Sequence, residues 1–337
     1  NMFHDALVSF AERRIIFMEK SNGIDLMKAF MAVCIVGIHT QVTNILPEKL
    51  DWYITHMIFR LGVPFFFVAS GYFFGRKLSV HNCIMNRIDD VKNYIIVNGI
   101  PFFFWGGVGL VWEMLLGFKR KGIEGSIQAI HNSFFYPFGA MWFVSSCMIA
   151  ALIIAILYNH KKILYLIAII GYSFALICNT YYWVIIDTPI QNVVDLYLQY
   201  FVSARNGLFV GVMEFGCGVW LYNHHKKIKT FSDKKIYIST IVAYSILLVE
   251  VIINFNQCVR DDSSLFLIMP ILSMLILETC FRIRIPYSIR LSLKLRTFSK
   301  QLFYLHPFFN VYIGYVLFYL TNNGLIQFIY VSINVQI

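Results

Sequence analysis

Lys28 and His39 stand eleven positions apart on one apolar run. Eleven steps of about 100° make roughly three helical turns, so on a helix both project from one face, about 16 Å apart along the axis. An imidazole that is neutral near pH 7 can take a proton from a hydroxyl, or carry a transferred group on its own nitrogen. The lysine offers a compact positive charge to an anionic group. The pair therefore predicts a polar path along one helix wall. Each residue also has a plainer reading. Lys28 can reach a polar interface from a helix start, and His39 can be a hydrogen-bonded core histidine.

Arg60 begins the stretch RLGVPFFFVASGY (60–72), where Pro64 frees a backbone carbonyl and favours a polar pocket near the guanidinium. Ser70 adds a hydroxyl to this stretch and, with Gly71, equally suits close helix packing. A further run opens with Arg205, Asn206 and Gly207 and carries Glu214 nine residues after the arginine. Nine helical steps put Arg205 and Glu214 on opposite faces, so Glu214 is expected to meet Arg60 or His39 instead. Trp142 starts another run, either as an interfacial anchor or as one wall of a binding site. Tyr304 and His306 precede Pro307, which restricts His306 and opens a break in the helix. His306 then lines the same cavity or bonds a carbonyl. Glu113, Glu250 and Glu278 lie nearer the ends of their runs and are weaker candidates.

These side chains need elements that can hold charge away from water. The chain has 337 residues, 58% of them hydrophobic and 14% charged, where a soluble domain carries about 25% charged residues. Apolar runs of about 20 residues recur along its length, enough to cross a roughly 30 Å hydrocarbon core as helices. They are continuous rather than alternating, which fits helices and not barrel strands. The expected spans are 24–44, 51–75, 92–117, 139–158, 161–179, 203–222, 236–255, 264–283 and 298–320. A last run, 324–337, is short for a full crossing. The expected fold is all-α, a polytopic membrane bundle of about ten helices around a polar central cavity. Ionisable groups at such depth are costly and mark function by default.

Lysines and arginines gather in alternate connections: Arg13, Arg14 and Lys20; Arg76, Lys77, Arg87 and Lys92; Lys161 and Lys162; then 226–235 and 282–300. The other connections hold Lys49, Lys119, Arg120, Lys121 and Arg260. This bias puts the N-terminus in the cytoplasm of a multi-pass protein of the plasma (bacterial inner) membrane. Residues 1–22 are then a cytoplasmic segment and 23–337 the membrane domain. The charges at Asp5, Glu12, Arg13 and Arg14 do not read as a cleavable leader. The net charge of +10 falls on one face, where anionic lipid or a polyanionic ligand would meet it. No soluble basic domain is present to hold nucleic acid. Connections 118–138 and 180–202 are expected at the interface and segment 287–300 on the surface. The seven cysteines form no CxxC pair, and clustered metal ligands are lacking.

Taken together, GIDLMK (23–28) through GIH (37–39), residues 60–74, MWFV (141–144), RNGLFVG (205–211) and LFYLHP (302–307) resemble the type-3 acyltransferase family of integral membrane proteins. The stretches occur in family order and cover most of the chain. The resemblance implies a ten-helix bundle that moves an acyl group, usually acetyl, from coenzyme A to an extracytoplasmic hydroxyl. Acceptors are typically cell-surface sugars, lipopolysaccharide, exopolysaccharide, peptidoglycan or small glycosides. It also gives His39 the catalytic position and Lys28 that of its basic partner. A lysine there keeps the charge and loses bidentate phosphate geometry.

On this reading acyl-CoA is a donor substrate rather than a resident cofactor, and Lys28, Arg60 and Arg205 are expected to hold it. His39 acts as general base or transient acyl carrier, with Glu214 orienting it or balancing Arg60. Ser70, Trp142, Tyr304 and His306 are expected to line the acceptor side, and no metal is expected. The partners are acyl-CoA, a glycan or other hydroxyl acceptor and membrane lipid, while a homodimer stays open. The alternative is a membrane carrier of a small polar substrate such as serine, the role held to belong to the membrane half of vancomycin-resistance serine racemases, a relative of the family. The glycines of span six and Pro64 would suit a substrate path.

Overall fold

The computed structural model describes residues 22–81, 83–137, 139, 141–257, 263–283 and 289–309. Among these residues the regular elements are helical, with no strand. The α-helices are α1 (Asn22–Thr40), α2 (Glu48–Met57), α3 (Gly62–Leu78), α4 (Ile84–Phe135), α5 (Met141–Leu157), α6 (Lys161–Ile177), α7 (Pro189–Phe201), α8 (Val212–Ile228), α9 (Asp233–Phe255), α10 (Met269–Arg282) and α11 (Ile289–Phe309). Four stretches among them are long and apolar enough to cross a bilayer: Gly23–Thr40, Glu48–Leu78, Ile84–Phe135 and Asp233–Phe255. The run 324–337, read above as short for a full crossing, lies outside the described residues.

The bundle is organised around α3 and α8. A Cβ on Gly71 would collide with the carbonyl of Phe215, and one on Gly218 with the backbone of Val68 and Tyr72. Small residues thus let the two helices touch along their backbones, as membrane helices do where water supplies no driving force between them. Phe65, Phe67, Phe74 and Phe215 fill the surrounding core. On one flank, α5 and α6 pack through Ala150, Ala151, Ile154, Ala168 and Ala175. On the other, α1, α9 and α10 close the core through Met31, Leu247, Leu272 and Leu277.

Three connections depart from expectation. Residues 118–135 are helical rather than an irregular loop. The chain stays helical through α4 and reverses at Lys121 and Gly122, the latter at φ +61°. The two limbs lie antiparallel, with Ser126 Oγ donating to the Met114 carbonyl at 3.0 Å and no room for a Cβ between Gly117 and Gly125. Residues 180–202 contain a short 3₁₀ turn, Tyr182–Ile185, followed by α7. That helix buries Val194 and exposes Ile190, Val193 and Leu196. Residues 289–309 form one helix that buries Ser292, Ser299 and Leu302 against the bundle. The alternating pattern of 287–300 therefore belongs, over its described part, to a helix that turns Ser292 and Ser299 to the bundle and leaves Leu291 and Leu293 exposed.

Contacts between connections define a basic end, which includes the start of α1. Arg87 Nη2 donates to Asn159 at 3.0 Å, and Tyr158 donates to Asn223 at 3.0 Å. Arg282 donates to the carbonyls of Ile228 and Phe231 at 2.9 and 2.8 Å. The C-terminus of α1 and the N-termini of α3, α5 and α8 lie at the opposite end.

Candidate active site

The second hydrophobic stretch breaks into α2 and α3 around a 3₁₀ turn, Phe59–Leu61, one turn ahead of Pro64. This break carries Arg60 to a cavity of about 30 Å³, lined also by Ile38, Pro64, Trp142, Arg205, Glu214 and Ser264. A space of that size holds a water or two and no acyl chain.

Arg205 reaches the cavity from an irregular segment. Its backbone N–H donates to Ser203 Oγ at 3.1 Å. Its guanidinium lies over the rings of Tyr136 and Trp142, 5.1 and 5.6 Å from their centres, close enough for cation–π attraction. Nη1 also donates to Ser264 at 3.4 Å. Asn206 then caps the next helix, accepting from Leu208 and Phe209 N–H at 3.0 and 3.1 Å. Its amide donates to the Tyr197 hydroxyl at 3.3 Å, a phenol that burial pushes up to about 12 and so keeps neutral.

Glu214 shares this cavity with Arg205, contrary to the opposite-face expectation. Residues 203–206 are not helical, and 207–211 form a π-helical turn in which Gly211 N–H bonds the Asn206 carbonyl at 3.0 Å. Regular helical counting therefore fails between the two residues. Glu214 is fully buried, and among the described residues neither carboxylate oxygen has a hydrogen-bond partner. It thus accepts no hydrogen bond from His39 or Arg60, and the orienting role expected for it is not seen.

The side chain found against His39 is His306. The ring centres are 5.1 Å apart, with planes tilted by 38°. His39 is exposed in the last turn of α1, whereas His306 is buried in α11. His306 Nδ1 donates to the Leu302 carbonyl at 2.8 Å, one turn back, and Pro307 follows it directly.

Lys28 lies near the basic end, half-buried, with its ammonium 4.7 Å from the centre of the Phe73 ring. Arg76 approaches the same ring at 5.9 Å. Asp25, one turn before Lys28, accepts from Arg296 Nε at 2.7 Å and from Ser292. Lys28 and His39 lie on one regular helix, so their eleven-residue spacing puts them on one face of α1, where Lys28 meets Phe73 of α3 and His39 meets His306 of α11. Between them, however, Ala32 and Val36 pack on Leu302, flanked by Phe298 and Leu305. The expected polar path along α1 is therefore closed by hydrocarbon in this conformation, because α11 covers it.

Ser70 and Tyr304 belong to a separate, half-buried cluster. Both interact with Tyr94 of α4, whose hydroxyl also meets Cys147. Tyr94 escaped sequence reasoning because a lone tyrosine in an apolar run carries no spacing signal. His56 was missed for a similar reason. It is buried against Trp52 and donates to the Trp52 carbonyl at 2.8 Å. Of the weaker candidates, Glu250 accepts from Tyr181 and from the N–H groups of Leu267 and Ile268, at 2.8, 2.8 and 3.1 Å. It anchors the start of α10. Glu278 lies 3.0 Å from Arg282 and 3.5 Å from His225. Among the described residues no group of three or more His, Cys, Asp or Glu could hold a metal.

A family model described as an acyltransferase domain matches residues 21–335. The chain is similar to an amino-acid racemase of Enterococcus faecalis, 26% identical over 227 residues, which cover 62% of this chain and 30% of that protein. It is also similar to a serine/alanine racemase of Enterococcus gallinarum, 23% identical over 259 residues, or 75% of this chain and 36% of that protein. The chain thus spans about a third of the length of these relatives. No solved structure matches it.

Proposed function

This chain belongs to the type-3 acyltransferase family of membrane proteins, and we propose that it moves an acetyl or other short acyl group from cytoplasmic acyl-CoA to a hydroxyl of an extracytoplasmic acceptor, a cell-surface glycan. Acyl-CoA is a polyanion that cannot enter lipid, so its phosphates need a cationic dock at the inner end. Lys28, Arg76 and Arg296 provide that charge at the basic end, which faces the cytoplasm under the charge rule. The acyl arm follows the α1 wall toward His39 as α11 moves away from Ala32 and Val36.

His39 takes the proton of the acceptor hydroxyl, or first carries the acyl group itself. Arg60 and Arg205 stabilise the oxyanion that forms on the acyl carbonyl oxygen, with Glu214 balancing their charge. The observation that carries this reading is the shared α1 face, with a cation at its basic end and an exposed imidazole at the other.

The test is release of coenzyme A thiol from acetyl-CoA by the purified protein in nanodiscs, with chitotriose or water as acceptor. His39→Ala should abolish release and leave the thermal transition unchanged. Full activity in that variant rules out the role given to His39.

A second reading, a carrier of a small zwitterion such as serine, is favoured by relatives named as amino-acid and serine/alanine racemases. The cavity bearing Arg60, Arg205 and Glu214 has charge of both signs for such a solute. Uptake of labelled serine into proteoliposomes lacking acyl-CoA supports this reading, and its absence removes it.

A further inference from the structure

The buried imidazole of His306 has one nitrogen committed and one open. Its Nδ1 faces the Leu302 carbonyl at 2.8 Å, and a carbonyl can only accept, so Nδ1 carries the proton. The lone pair then sits on Nε2. That atom is buried and has no hydrogen-bond partner among the described residues, and the whole residue is 1% exposed. A buried acceptor left unpaired is costly, and such exceptions call for a reason. The neighbouring ring is His39, at 5.1 Å between centres. A direct N–H···N hydrogen bond of about 2.9 Å needs about that separation once the two ring nitrogens face each other. The present 38° tilt leaves that bond unmade, and a turn of the exposed His39 ring closes it.

We infer that His306 is the proton-accepting partner of His39, acting through it as a positioning residue. The inference rests on the acyl-transfer reading above. The acceptor oxygen bonds to the acyl carbon as the carbon–sulfur bond breaks. The hydroxyl proton passes to the unprotonated ring nitrogen of His39. The proton on the other His39 nitrogen passes to His306 Nε2. The departing thiolate finally takes up one proton, so that an ester and coenzyme A thiol result and both imidazoles return to neutral. The Leu302 bond holds the tautomer throughout, as the partner of a catalytic histidine must. Pro307 fixes the backbone immediately beyond.

Two measurements test this. In wild-type protein, ¹⁵N shifts of His306 should show protonated Nδ1 and bare Nε2, and a protonated Nε2 overturns the inference with no reference to activity. In His306→Asn the side-chain amide can still donate to Leu302, but the lone pair at Nε2 is gone. Thiol release should then fall about 100-fold in kcat, within the range of a lost acid–base group, while KM for acetyl-CoA holds within about threefold. His306→Gln, which puts an acceptor near Nε2 that cannot take up a proton, should be equally slow. Wild-type kcat in either variant overturns the inference while leaving the His39 reading intact. No thiol release from wild-type protein overturns that reading, and this inference with it, whatever the tautomer.

Discussion

Arg296 Nε donates to the Asp25 carboxylate at 2.7 Å, and Ser292 donates to its other oxygen. The contact ties α11 to α1 one turn from Lys28. Asp25 is nearly inaccessible while Arg296 keeps about a third of its side chain open, so the pair is only partly desolvated. Asp25→Ala and Arg296→Ala are each expected to destabilise the fold. A double-mutant cycle by denaturant unfolding in detergent should return a coupling of about 1–3 kcal/mol. A coupling near zero would mean that the two charges do not support one another.

The contact of α3 with α8 leaves no space at Gly71. Gly71→Ala must push the helices apart, at a cost of about 1–3 kcal/mol or more. Gly107→Ala, where a Cβ meets nothing within 4 Å, should be neutral or slightly stabilising through helix propensity. Thermal unfolding of both variants in one detergent checks the contrast, which disappears if the two helices are not in backbone contact.

Lys28 is predicted to bind the donor and take no part in the chemistry. Lys28→Met should raise KM for acetyl-CoA about tenfold with kcat little changed, the signature of lost uniform binding. Lys28→Arg should stay near wild type. A kcat defect at unchanged KM in the methionine variant would contradict the assignment.

Donor passage requires α11 to leave the Ala32–Val36 wall. Cysteines at Val36 and Leu302, joined by oxidation, should hold the two helices together and stop thiol release, and reductant should restore it. Retained turnover in the cross-linked protein would show that the acyl arm takes another route.

Glu214→Gln replaces a buried carboxylate by a neutral isostere. The change should leave the protein at least as stable as wild type, because a buried carboxylate that accepts no hydrogen bond among the described residues is expensive. Transfer should fall about tenfold or more if that charge balances the oxyanion-stabilising arginines. Stability is read by thermal unfolding and transfer by thiol release.

Composition and run length made an all-helical membrane chain legible, and the spacing of Lys28 and His39 correctly put them on one face of α1. Arg60, Trp142 and Glu214 were singled out by their chemistry and do meet at one cavity. Two things were hidden for definite reasons. Regular periodicity cannot register the irregular backbone at 203–211, so Arg205 and Glu214 were assigned to opposite sides. Nor does a sequence reveal which helix covers a given face. That is why a wet path along α1 was expected where α11 supplies Leu302.

The π turn at 207–211 has a bearing on how the chain tolerates change in length. A five-residue turn amounts to one residue inserted into an ordinary helix. Deleting one residue there would let α8 wind regularly and swing Glu214 by about 100° away from Arg205, with every cavity side chain still present in the sequence. The meeting of these two groups at one cavity is therefore recorded in a residue count, and a homologue could keep all the signature letters and still lose the arrangement through a single gap.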